Sequence, residues 1–175
     1  DIRNSSSEKI RKSVSYRIGM ISAAYSRYVS VVPVVDVAVV DSDLKRVLLC
    51  KKYDERGFRF IGGHIDPSDD SARIAASREV REETGGAEIQ IEEIIDQVKI
   101  RPWKYRSEEE GMISTLFLAT YVFGSLSPSD DINMLKWVNI DEIGKEEIVE
   151  EHKILIDMFL KHINKKNEFE LKTSS

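Results

Sequence analysis

The sequence predicts an α/β fold: a mixed β-sheet with helices packed on its faces. Three observations lead there. Val32 to Val40 (VPVVDVAVV) and Met112 to Phe123 (MISTLFLATYVF) are long runs, rich in β-branched or aromatic residues, of the kind that fill buried strands. Ser71 to Thr84 and Glu146 to Ile163 carry helical patterns instead. The chain has 175 residues and a mass of 20.0 kDa, close to one domain and long enough to bury a core without staples.

The elements follow in order. After the first strand, Asp41-Ser42-Asp43 makes a turn, and Arg46 to Lys51 returns as a second strand. Phe58 to Ile61 reads as a short third strand that ends in Gly62-Gly63. Pro67 to Asp70 is a polar loop. The helix Ser71 to Thr84 has Asp70 or Ser71 as its N-cap and Gly85 as its stop. Glu88 to Ile100 is extended, Arg101 to Gly111 is a charged loop, and Met112 to Phe123 is the strong strand. Leu135 to Ile140 is a further short strand. In the last helix Ile148, Val149, Leu155, Ile156, Phe159, Leu160 and Ile163 make one broad apolar face. Three regions result: a basic N-terminal extension over 1–30, a folded domain over 31–164 and a polar, frayed tail over 165–175.

Composition excludes several function classes. No apolar run reaches the roughly 18 residues of a membrane span. A single cysteine, Cys50, leaves no disulfide framework and no cysteine-based zinc site, and suits a reducing compartment, so the expected localisation is cytoplasmic. The net charge is −5, and nucleic acid is not the expected partner. Residues 1–30 hold six basic and two acidic side chains, a local +4 that leaves −9 on the remainder. Their serine-rich, basic composition is compatible with a transit peptide and with a partly helical extension; the second reading is adopted here.

The chemistry concentrates in Gly62 to Gly86 (GGHIDPSDDSARIAASREVREETGG). Glu79, Glu82 and Glu83 stand three and four apart, on one helix face. They sit in the last turns, where the helix dipole disfavours each carboxylate by a few tenths to about 1 kcal/mol. Such a cluster is compensated either by cations, Arg78 and Arg81 here, or by a hard divalent metal with oxygen ligands. A mixed glutamate–arginine face is also a common solvated surface. The double glycine frees the backbone for close approach to a ligand. Ala72, Ala75 and Ala76 let the opposite helix face pack closely.

Arg78-Glu79-Val80-Arg81-Glu82-Glu83-Thr84-Gly85 resembles, without a gap, the second half of the signature of the Nudix hydrolases. The first half departs from it. One extra residue separates Gly63 from Arg78, and the family's first glutamate is an aspartate, Asp69 or Asp70. Gly86 also replaces an apolar residue. The order of elements from about Val32 to Ile163 is similar to the Nudix α/β/α sandwich with its mixed sheet. The resemblance implies metal-dependent hydrolysis of a nucleoside diphosphate linked to another moiety, with Mg²⁺ or Mn²⁺ as cofactor. It implies Glu79, Glu82, Glu83 and the Gly63 carbonyl as metal ligands, and Arg78 as the arginine that fixes the helix carboxylates. With Glu79 and Arg78, Glu109 or Glu110 is a candidate catalytic residue, since several Nudix members take their base from a mobile loop. The adjacent acidic run Glu108-Glu109-Glu110 is equally a solvated loop tip.

Arg59, Arg101, Trp103 and Arg106 are the candidate substrate-binding residues: cations suit phosphates and rings suit a base. Pro102 lies 16 positions past Gly86, near a proline that marks ADP-ribose pyrophosphatases. Ser129-Asp130-Asp131 followed by Trp137 also resembles ADP-ribose-type members. The expected substrate is therefore ADP-ribose or a related NDP-sugar. Dinucleoside polyphosphates, NADH or (d)NTPs remain as alternatives, as does a non-catalytic nucleotide-sensing domain. ADP-ribose-type members are often dimers, so a homodimer is an open option. His64, His152, His162 and Cys50 are expected to be structural or solvent-facing.

Overall fold

The computed structural model describes residues 31–100 and 111–173. Its elements are β1 (Val31–Val40), β2 (Arg46–Lys52), β3 (Ile61–His64), α1 (Ala72–Thr84), β4 (Ala87–Ile100), β5 (Gly111–Gly124), β6 (Ile132–Asn139), a short 3₁₀ helix (Ile140–Lys145) and α2 (Glu150–Thr173). The sheet runs β4-β5-β1-β2-β6, with β3 paired to β1 off that path. The β1–β5 pair is parallel and all other pairs are antiparallel, so the sheet is mixed as expected.

The alternation along β1 builds both sides of the sandwich. Val35, Val37 and Val39 face the side where Ala75, Ala76 and Val80 of α1 pack. Ala38 and Val40 face Leu155, Ile156, Phe159 and Ile163 of α2 on the other side. Period-two side-chain direction thus gives one strand two buried faces. The alanine face of α1 is what lets that helix lie close to the sheet.

The structure corrects five boundaries. The double glycine does not end the third strand; it lies inside β3. A Cβ on Gly62 would stand 2.1 Å from the Val35 carbonyl oxygen, so only a bare backbone fits beside β1 at that point. Phe58 and Arg59, expected in that strand, make isolated bridges to Ile148 and Cys50. The last helix starts later, at Glu150, because Glu147 and Val149 spend their backbone groups on Phe58: Phe58 N–H donates to Glu147 O, and Val149 N–H to Phe58 O. It also runs on to Thr173, past Ile163 where the apolar period stops, through a polar stretch of good helix formers in place of the expected frayed tail. Finally, β6 begins at Ile132, paired with Lys52.

Candidate functional site

α1 is capped at both ends by local chemistry. The Ser71 side chain accepts from Ile74 N–H, and Gly85 adopts a left-handed conformation (φ 67°). The stop fixes where Glu79, Glu82 and Glu83 fall, and the three part company around the helix. Glu83 is 2% exposed, Glu79 is partly buried and the Glu82 side chain is 52% exposed.

Arg78 organises this end of the helix. It donates to both oxygens of Asp69 (3.2 and 2.8 Å), to Glu79 (2.9 Å), to Glu82 (2.9 Å) and to the His64 carbonyl (3.0 Å). Asp69, and not Asp70, is therefore the loop carboxylate that meets Arg78. Glu83 points inward, accepts from Gly62 N–H at 3.2 Å, and lies 3.8 Å from the Lys52 ammonium. Burial drives its carboxyl up to about 8, against the opposing pull of Lys52, Arg59 and the Gly62 amide. Burial also raises Glu79, partly offset by Arg78. The Gly63 backbone abuts Glu79 closely: a Cβ there would sit 2.6 Å from its carboxylate.

These groups suit a hard divalent cation. All the donors are oxygens, two carboxylates are desolvated, and the one backbone segment beside them carries no side chain. Among the described residues no three such side chains converge on one point: Arg78 Nη1 bridges Glu79 and Glu82, while Glu83 turns to the Gly62 amide.

Two adjoining clefts share Lys52, Gly62, Gly63, His64 and Asp131. The smaller, about 350 Å³, holds Arg78, Glu79 and Glu83. The larger, about 470 Å³, has an apolar wall of Val34, Ile100 and Met112, and Tyr53, 73% exposed, also lines it. Its lining also includes Asp36, Glu55, Arg59 and His152.

Of that polar group, sequence reasoning assigned a function to Arg59 alone. Asp36 accepts from the Ser114 hydroxyl and is raised to about 7 by burial, against the pull of Arg59. His152 accepts at Nδ1 from Phe60 N–H (3.3 Å), which leaves Nε2 as the protonated nitrogen, 3.6 Å from Asp36. Burial holds the imidazole neutral. His152 Nε2, Arg59 Nε and Glu55 Oε2 are buried without a hydrogen-bond partner. One signal was visible in sequence: Asp36 is the single charge inside the apolar run of β1. Lys52 and Asp131 were not assigned to the site either, and nothing local marks Lys52.

Of the sequence candidates, Gly63, Arg78, Glu79 and Glu83 line one cleft and Arg59 the other. Glu82 stands outside both linings and reaches the site only through Arg78. Arg101, Trp103, Arg106, Glu109 and Glu110 lie outside the described residues. His64 lines both clefts, and His152, expected to be bland, is buried beneath the larger one. Cys50 is buried as expected, its thiol pushed well up by burial.

A NUDIX domain family model matches residues 31–159. No curated protein matches the chain in sequence. Among solved structures, the chain is similar to the NUDIX domain of Shewanella oneidensis NrtR complexed with ADP ribose, with 16% identity and a TM-score of 0.60 over 79% of this chain and 92% of that one. It is similar to an ADP-ribose pyrophosphatase from Streptococcus suis, with 15% identity and a TM-score of 0.57 over 76% and 92% of the two chains. It is also similar to a MutT protein from Methanosarcina mazei, with 21% identity and a TM-score of 0.60 over 78% and 94%. At these identities the likeness is one of fold.

Proposed function

The chain belongs to the NUDIX family and is a Nudix pyrophosphohydrolase, and from that premise we propose that its substrate is a nucleoside diphosphate linked to a sugar, ADP-ribose before other NDP-sugars. The observation that carries this reading is the pair of adjoining clefts. Both are lined with carboxylates, the larger also has an apolar wall, and they meet at Gly62-Gly63. A diphosphate over the glycines would leave one end of the substrate in the larger cleft, against Val34, Ile100 and Met112. The neighbouring structures named with ADP ribose and ADP-ribose pyrophosphatase support the choice of sugar nucleotide.

In this reading Glu79, Glu82, Glu83 and the Gly63 carbonyl hold the metal, which when bound neutralises the diphosphate and acidifies the attacking water. Arg78 orients Glu79 and Glu82. Glu109 or Glu110 takes the proton of the water, and Arg59, Arg101, Trp103 and Arg106 bind the substrate. ADP-ribose and water give AMP and ribose 5-phosphate. Residues 31–164 carry the activity, in a cytoplasmic protein whose single cysteine suits a reducing compartment.

The test is hydrolysis, with and without Mg²⁺, of ADP-ribose, UDP-glucose, diadenosine polyphosphates, NADH and dNTPs, with products identified. ADP-ribose is expected to give the highest kcat/KM. A diadenosine polyphosphate or dNTP turned over about tenfold better, a difference of ~1.4 kcal/mol in transition-state binding, would overturn the substrate. Replacement of the base by glutamine should lower kcat by roughly 10²–10⁴-fold. Near-normal kcat in the single Glu108→Gln, Glu109→Gln and Glu110→Gln variants and in the triple variant removes this acidic run from the chemistry.

A further inference from the structure

Lys52 stands where the two clefts join, and its surroundings are those of a cation held in reserve. Its ammonium lies 2.6 Å from Asp131 and 3.8 Å from the buried carboxylate of Glu83. It occupies the last position of β2, where the pairing with β6 shifts register between Lys51 and Lys52. Bulges of this kind re-aim a side chain. Asp131 follows Asp130, whose backbone is in the left-handed region (φ 55°), in a turn closed by Ile132 N–H donating to Ser129 O.

The other cations of the clefts are engaged. Arg78 divides its donors among three carboxylates and a carbonyl. Arg59 is paired with Glu55 at 2.8 Å, and neither residue lines the smaller cleft. Lys52 is the lysine or arginine that lines both clefts among the described residues. Its ammonium has three rotatable donors, which suit phosphate as a point charge. Its counter-ion Asp131 is 53% exposed, against 20% for the Lys52 side chain, so water can take over the aspartate when the pair opens.

We propose that Lys52 is a diphosphate-binding residue and that Asp131 is its latch: the aspartate holds the ammonium and yields it to a phosphate oxygen when the nucleotide binds. The proposal rests on the reading of the two clefts as a nucleoside-diphosphate site. It gives the two members of one ion pair opposite effects on binding. Lys52 adds attraction for the diphosphate, while Asp131 competes with the diphosphate for Lys52.

The experiment is calorimetry on the full chain in Mg²⁺ buffer, titrating α,β-methylene-ADP, which carries an uncleavable diphosphate, and adenosine, which carries none. Lys52→Met should weaken α,β-methylene-ADP by about tenfold or more, the scale of one lost charge-assisted contact, and leave adenosine within about twofold. Lys52→Arg should restore most of the loss. Asp131→Asn, which keeps the lysine, should tighten α,β-methylene-ADP by about two- to fivefold, as a half-exposed competing carboxylate is removed. The proposal is overturned if Asp131→Asn weakens binding as Lys52→Met does, since the pair is then structural. It is equally overturned if adenosine and α,β-methylene-ADP weaken together, or if the wild type binds no diphosphate. Should Lys52→Met fail to fold, Asp131→Asn and Lys52→Arg decide by the same criteria. If the binding pattern holds but ADP-ribose is not hydrolysed, the substrate reading falls and the role of Lys52 stands.

Discussion

The two clefts share a glycine floor but are assembled in opposite ways. The smaller is built mostly from one segment, with the strand glycines, Asp66, Arg78, Glu79 and Glu83 all within Gly62 to Glu83, and Lys52, Asp130 and Asp131 complete it. The larger draws on β1, β2, the loop after β2, the ends of β4 and β5, and α2, and its members run from Val34 to His152. Chemistry that needs fixed charges at fixed spacing is carried by local periodicity. A pocket that needs a shaped wall is carried by topology. Perturbing the first should therefore cost turnover, and perturbing the second should cost affinity or stability.

The largest effect is expected at the carboxylates. Glu79→Gln and Glu83→Gln should each reduce turnover by on the order of a hundredfold or more, as for loss of a group that stabilises transition-state charge. The same Glu83→Gln change should not weaken the metal-free fold at pH 7, because it removes a buried carboxyl already raised to about 8. Turnover and denaturant unfolding, measured on one preparation, check both halves. A variant that loses activity only because it unfolds would erase the distinction between the clefts.

Next is the buried charge beneath the larger cleft. Asp36 has a folded-state value of about 7 against an ordinary 3.8. A carboxyl raised on folding contributes stability that is complete below about pH 4 and is lost as pH rises through about 7, on the order of a few kcal/mol across that window. Asp36→Asn keeps an acceptor for Ser114 and removes the charge. Its stability should therefore fall less than that of the wild type between pH 5 and pH 8, leaving the slope that belongs to Glu83. Parallel urea midpoints for the two proteins over that range would show that Asp36 does not titrate there.

A smaller effect isolates the wall of the larger cleft. Tyr53 is exposed and lines that cleft, so its ring is available to stack on a base. Tyr53→Ala should raise KM by roughly tenfold, as for one lost base–aromatic contact, with a smaller change in kcat and no change in Tm. A fall in kcat with KM constant would place the aromatic contact in the chemical step and blur the division between the clefts.

How much was legible in the sequence follows from the same division. The helix, its caps and the residues it gives to the smaller cleft could be read because each depends on neighbours within about four positions. The sequence also anticipated the mixed sheet, since its strands are long and apolar. It could not anticipate that Glu83 turns inward to Gly62 N–H while Glu82 faces solvent; a shared helix face did not mean a shared environment. Nor could it show that Lys52 meets Asp131, 79 positions away, or that His152 reaches Phe60 N–H, 92 positions away. The start of α2 was misplaced for a similar reason: Phe58 competes for the backbone of Glu147 and Val149, and no local propensity records a distant competitor.

The smallest effect concerns α2, whose two halves differ as the clefts do. Up to Ile163 the helix is held by burial: Leu155, Phe159 and Ile163 are at most 2% exposed in one core cluster. Beyond it the chain reads NKKNEFELKT, without an apolar period, and Lys166 makes an ion pair with Glu93 at 3.6 Å between two partly exposed side chains. Exposed pairs of that kind contribute about 0–1 kcal/mol. A helical end of this length is marginal without packing, so its order depends on the packed half before it. A chain ending at Asn164 should therefore keep kcat/KM within about twofold and lose no more than ~1 kcal/mol of stability. Amides beyond Asn164 in the full chain should exchange far faster than those of Leu155 to Phe159. A loss of several kcal/mol, or of activity, on truncation would mean that the polar half packs on something the 31–164 domain needs, and would move the boundary of the catalytic domain to the end of α2.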